Sequence, residues 1–187
     1  SLAITITVAD LFAIGIGPSS SHTVGPMRAA KQFLDSLEKH PAKVYTELRG
    51  SLSATGRGHA SDRAVILGLA GWDPLSVPID AEPHAGGFIP SEGTISGPRG
   101  AVDYEIAFDN EPLPQHPNGM IFSAWDESGN LIAEKEEYFS VGGGFILSRS
   151  ELDAEVAESN EVPAGVAAAQ VDDTVPYHFT TGEELLN

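Results

Sequence analysis

The 187-residue chain contains no cysteine. That removes disulfides, thiolate nucleophiles and cysteine-ligated iron–sulfur clusters from what this chain can build with its own side chains. It does not fix the compartment. Cations are scarce too. Lys and Arg number 10 against 27 Asp and Glu, a formal net charge of −17. Such a surface repels phosphate backbones and anionic lipid, so neither nucleic acid nor a membrane surface is an expected partner. A small anion would need a local pocket whose N–H groups and few cations overcome the global field. No apolar run approaches the roughly 18–20 residues of a membrane span. The first ten residues, SLAITITVAD, lack the basic leader and small-residue cleavage pattern of a signal peptide. The cytoplasm is the expected location.

What is present suffices for a core. Hydrophobic residues make up 41% of the chain, enough for one ordinary domain with an appended tail. Ser1–Ile16 reads as a short strand or extended lead-in, then a turn of helix at Asp10–Ala13. The loop GPSSSHTVGP follows, from Gly17 to Pro26, with Thr23 placed to cap a helix. Met27, Ala30, Phe33, Leu34 and Leu37 recur at helical spacing, which predicts an amphipathic helix to about Lys39, stopped by Pro41. Lys43–Ser53 alternates apolar and polar residues as a strand does. After the turn TGRGHA, a second helix is expected over Ser61–Ala70. It is apolar on nearly all sides and therefore buried, with Gly71 as its stop. Pro74–Arg99 reads as a long loop with a short element inside. Val102–Phe108, Met120–Trp125 and Leu131–Tyr138 read as strands, the last two joined by the turn Glu127–Asn130. Gly142–Gly144 suggests a tight crossing or bulge. Ser150–Asp173 reads as an acidic linker or weak helix. The closing TTGEELLN looks like a helix start, which suggests a longer parent protein. The order is α-β-α-β-β-β, an α+β fold with helices packed on a mixed sheet.

The serine-rich loop asks for an explanation. One hydroxyl caps a helix, but Ser19, Ser20, Ser21, His22 and Thr23 exceed that need. At a helix N-terminus the surplus hydroxyls and unpaired N–H groups can bind an anion. The second turn has the same composition: Thr55, Gly56, Arg57, Gly58 and His59 before a buried helix. If the fold joins both turns, they form a small polar site suited to a carboxylate, with an imidazole available as general base. The bland alternatives are a solvated turn with one cap and an ordinary Gly-rich turn. His40, His84, His116 and His178 stand alone and read as surface or structural residues. Ser21, His22 and Asp62 could in principle serve a hydrolase, but no G-x-S-x-G elbow is present. His22 and His59 lack a third ligand at metal spacing, so no metal site is expected.

Four segments occur together in order: IGIGPSSSHTVGPMRAA (14–30), GSLSATGRGHASDRAVILGLAG (50–71), HPNGM (116–120) and YFSVGGGFI (138–146). Together they resemble the N-terminal, or β, domain of bacterial iron–sulfur-dependent L-serine dehydratases. The tail PYHFTTGEELLN resembles the start of the catalytic α domain. The resemblance implies an L-serine ammonia-lyase that makes pyruvate and ammonia with a [4Fe–4S] cluster, an open iron of which acts as Lewis acid on the departing hydroxyl. It implies a fold like the allosteric substrate-binding domain of D-3-phosphoglycerate dehydrogenase. Residues 1–149 would be the β domain, and 150–187 a linker to the α domain that holds the cluster. No cofactor is implied for this chain itself. His59 would be the catalytic base. Ser19–Thr23, Thr55, Gly56 and Gly58 would line the substrate pocket, with His22 a further polar contact. The implied partners are that α domain and L-serine, and a homodimer through exposed sheet surface is compatible with the sequence. The alternative is a regulatory domain that binds serine or another small anion without taking part in the chemistry. One departure is that Arg57 stands where the family often has Lys.

Overall fold

A computed structural model describes residues 21–54, 58, 60–78, 81–83 and 89–161. The expected strand and helix over Ser1–Ile16, and the helix start at the tail, lie outside these residues. The first described helix, α1 (Val24–Ser36), buries Met27, Ala30, Phe33 and Leu34. It ends three residues before the expected Lys39. The Ser36 hydroxyl donates to the Phe33 carbonyl at 2.6 Å, and Leu37 turns extended, with ψ 146°. A side-chain donor has displaced the helical pattern at that end.

Strand β1 (Lys43–Gly50) lies near the middle of the sheet and buries Val44, Thr46 and Leu48 on one face. It stops at Gly50 rather than at Ser53, because Gly50 has φ +61° and sits against a backbone. A Cβ there would lie 2.3 Å from the Pro117 carbonyl oxygen. The short helix α2 (Ser51–Ala54) follows, then α3 (Ser61–Leu69), buried on nearly every side as its composition requires. The remaining elements are β2 (Glu92–Gly97), β3 (Gly100–Asp109), β4 (Asn118–Trp125), β5 (Leu131–Gly142), β6 (Phe145–Ser148) and α4 (Arg149–Glu161).

The strands form one open, mixed sheet in the order β2-β3-β1-β4-β5-β6. β1 runs parallel to β3 and antiparallel to β4. The fold is therefore α+β, as expected. The principal core lies between this sheet and α1 and α3. Phe33 stacks on Phe122 with centroids 4.9 Å apart and meets Tyr138 edge-on. A smaller apolar cluster, Leu113, Phe139, Val141 and Leu152, joins α4 to β5.

Two elements exceed the sequence reading. β6 forms because Gly142, Gly143 and Gly144 all have positive φ, which folds the chain back onto β5. α4 starts on a reciprocal cap, in the stretch that reads as a linker or weak helix. The Ser148 N–H donates to Glu151 Oε1 and the Glu151 N–H donates to Ser148 Oγ. Among the described residues, no helix is long and apolar enough to cross a membrane.

The two main helices touch through a glycine. A Cβ on Gly68 would lie 2.4 Å from the Met27 carbonyl oxygen and 2.8 Å from the Ala30 Cβ. Backbone cannot yield as a side chain does. Gly68→Ala should therefore cost about 2–3 kcal/mol despite the better helix propensity of alanine. Urea unfolding of the two proteins checks this, and equal or greater stability of the variant would contradict the close crossing.

Candidate functional site

The polar groups collect where β1 ends and α1 begins. Gly50 turns the chain so that Ser51 leaves the sheet edge-on. The Ser51 N–H then donates to the Pro117 carbonyl at 2.9 Å, which docks β1's exit against the HPNG segment. From the other side comes the turn ahead of α1. His22 Nε2 lies 3.2 Å from the Ser51 carbonyl oxygen and 3.0 Å from Ser51 Oγ. A carbonyl only accepts, so Nε2 carries the proton. In the neutral ring Nδ1 is then an acceptor, and the Ser21 hydroxyl, 2.9 Å away, donates to it. Burial lowers the His22 pKa from its ordinary value, and the bond to the Ser51 carbonyl opposes that only in part. The ring is therefore held neutral, in one tautomer and one orientation.

The start of α3 reaches the turn ahead of α1 at this point. The Ser61 hydroxyl, in the first turn of α3, donates to the His22 carbonyl at 3.3 Å. Next to it, the buried Asp62 carboxylate accepts from the Gly58 N–H at 2.6 Å and from the Arg63 N–H at 2.8 Å. Gly58 has φ +82°, with open space where a Cβ would stand. Of the residues expected in the pocket, Ser21, His22, Thr23 and Gly58 are described. Ser21 and His22 are in direct contact. Thr23 occupies the cap position of α1 and is fully buried, but its side chain makes no capping bond. Ser19, Ser20, Thr55, Gly56 and the expected base His59 lie outside the described residues.

The sequence reading gave no role to Ser51 or Asn118. Ser51 was assigned to a strand, yet it links His22 to the HPNG turn. His116 takes the structural one of its two expected roles. It is half-buried, its Nδ1 accepts from the Asn118 N–H at 3.1 Å, and its ring meets Phe139 edge-on. Asn118 in turn donates from Nδ2 to the Ser140 carbonyl at 3.1 Å. The available signal was the HPNG string itself, a His and an Asn on either side of a turn-forming proline. Among the described residues, no group of three or more His, Asp or Glu could hold a metal ion.

The His116 environment has a consequence for acid stability. Burial pushes its pKa down to about 4. The unfolded ring titrates near 6.5, so between those values the unfolded state binds the proton and the native state does not. Stability should fall as pH drops from about 6.5 toward 4, by on the order of 2 kcal/mol once partial solvent access is allowed for. His116→Gln removes the titrating group. The gap in unfolding free energy between wild type and variant should narrow across this window, and a constant gap would contradict the assignment.

These features define an α+β domain with a neutral imidazole–hydroxyl site at one end of its sheet. Residues 7–151 match the serine dehydratase beta chain family, and the chain belongs to that family. It is 41% identical over 97% of its length to the L-serine dehydratase TdcG of Escherichia coli K12. It is 43% identical over 97% of its length to an L-serine dehydratase of Streptomyces coelicolor, and 34% identical over 97% to one of Helicobacter pylori. It spans only about two fifths of these relatives, 39%, 40% and 39% of their respective lengths.

Proposed function

We propose that this chain is the β domain of a cytoplasmic, iron–sulfur L-serine dehydratase, and that it supplies one wall of the serine pocket to a cluster-bearing catalytic α domain. The observation that carries the reading is the likeness to L-serine dehydratases along 97% of the chain. The site supports it chemically. L-Serine brings a carboxylate, an ammonium and a hydroxyl into a domain whose net charge is −17. Neutral donors can hold the carboxylate there, and the turn ahead of α1 offers hydroxyls and helix N–H groups for that purpose.

In this proposal both ring nitrogens of His22 are already engaged, by Ser51 and Ser21. His22 therefore orients its turn and Ser21, and His59 takes the Cα proton. Loss of the β-hydroxyl then leaves 2-aminoacrylate, whose imine tautomer takes up water to give pyruvate and ammonia. The chain's own residues do not fit a [4Fe–4S] cluster. It has no cysteine, and its described residues offer no alternative donor set. The cluster ligands belong to the α domain in this reading, with residues 150–187 leading toward it, and the 187-residue chain alone should not turn over serine.

The test uses the complete enzyme with its cluster loaded under anaerobic conditions. His59→Ala should lower kcat by about 10²–10⁴-fold, the range of a positioned general base. His22→Ala should act mainly on KM for L-serine. A His59→Ala enzyme with wild-type kcat and changed activation by serine would instead make this a regulatory domain.

A further inference from the structure

The glycine turn between β5 and β6 has no part in the chemistry proposed above, yet its geometry is demanding. Gly142, Gly143 and Gly144 have φ of 103°, 62° and 80°. Three successive residues in the left-handed region are a conformation that side chains resist. The last of them lies against the start of α1. A Cβ on Gly144 would stand 3.0 Å from Val24 Cγ1 and 3.2 Å from Arg28 Nη1. Arg28 Nη1 also donates to the Gly144 carbonyl at 2.9 Å. Val24 follows Thr23 directly and is 1% exposed. Val24 and Met27 also pack in an apolar cluster with Ala64 and Leu67 of α3. The first turn of α1 is thus held by α3 and by the glycine turn.

We propose that Arg28 and Gly144 are positioning residues. Their hydrogen bond, and the close seat that glycine alone allows, fix the entry of α1 and so the placement of Ser21, His22 and Thr23. The importance of this for serine rests on the pocket reading above, but the positioning has its own signature. The bonds described for the His22 ring go to Ser21 and Ser51, so an effect of Arg28 on that ring is expected to travel through the helix entry.

The variants are Arg28→Met, Arg28→Lys and Gly144→Ala. The His22 titration is followed by NMR in the 187-residue chain, with His116 as internal control. KM for L-serine is measured in the complete, cluster-loaded enzyme. In Arg28→Met the His22 midpoint should rise toward its ordinary value. The His116 signal should stay in place, and KM should rise about tenfold with a smaller change in kcat. Arg28→Lys should recover part of both effects. Gly144→Ala should act in the same direction, and if it fails to fold, the two Arg28 variants decide. A folded Arg28→Met protein with an unmoved His22 titration overturns the inference. A moved titration with unchanged KM supports the positioning role and removes these residues from the serine pocket.

Discussion

The site depends on the bond between the His22 ring and Ser51. It joins two pieces of chain that arrive from opposite directions, the turn entering α1 and the exit of β1. Each hydrogen bond in it contributes about 1 kcal/mol net, but leaving a half-buried imidazole donor unsatisfied would cost about 1–3 kcal/mol. The arrangement is therefore self-enforcing. Gly50 makes it reachable, since only a left-handed residue without a Cβ can pass the Pro117 carbonyl and deliver Ser51 to the ring. The N–H of Ser51 is spent on the HPNG segment and its carbonyl and hydroxyl on His22. One residue thereby couples two motifs that lie far apart in sequence.

A neutral site suits an acidic domain. With 27 acidic side chains against 10 basic ones, a cationic pocket would be drawn into surface ion pairs. Several cations are committed in that way: Lys31 to Asp35, Lys39 to Asp126, and Arg149 to Glu137 and Asp153. Hydroxyls, amides and a ring kept uncharged by burial escape this competition. The same burial logic acts on His116, whose pKa burial pushes down to about 4.

Much of this was legible in the sequence, and the failures have physical causes. The apolar spacing of Met27, Ala30, Phe33 and Leu34 located α1, and the alternation around Val44 and Leu48 located β1, because periodicity reports directly on which face is buried. The resemblance read from the sequence rests on four segments, and Ser21, His22, Ser51 and Gly58 of the first two stand among the described polar groups. Boundaries failed where a single local interaction decided them, as at Ser36 and Gly50. β6 was missed because a glycine triplet has many possible conformations, and only contact with Val24 and Arg28 selects one. α4 is the helical one of the two readings that its stretch allows; Ser148 and Glu151 spell its cap, but the acidic, weakly amphipathic stretch that follows leaves the choice between linker and helix open in the sequence. Ser51 was hidden for a different reason. Its role comes from a partner 29 residues away, which no local pattern reports.

The central claim is that the His22 ring is neutral and carries its proton on Nε2, facing Ser51. A long-range proton–nitrogen NMR correlation spectrum of the chain at neutral pH tests this directly. The account predicts a protonated Nε2 and a bare, hydrogen-bonded Nδ1. A ring protonated on Nδ1 alone, or an imidazolium with both nitrogens protonated, would contradict it.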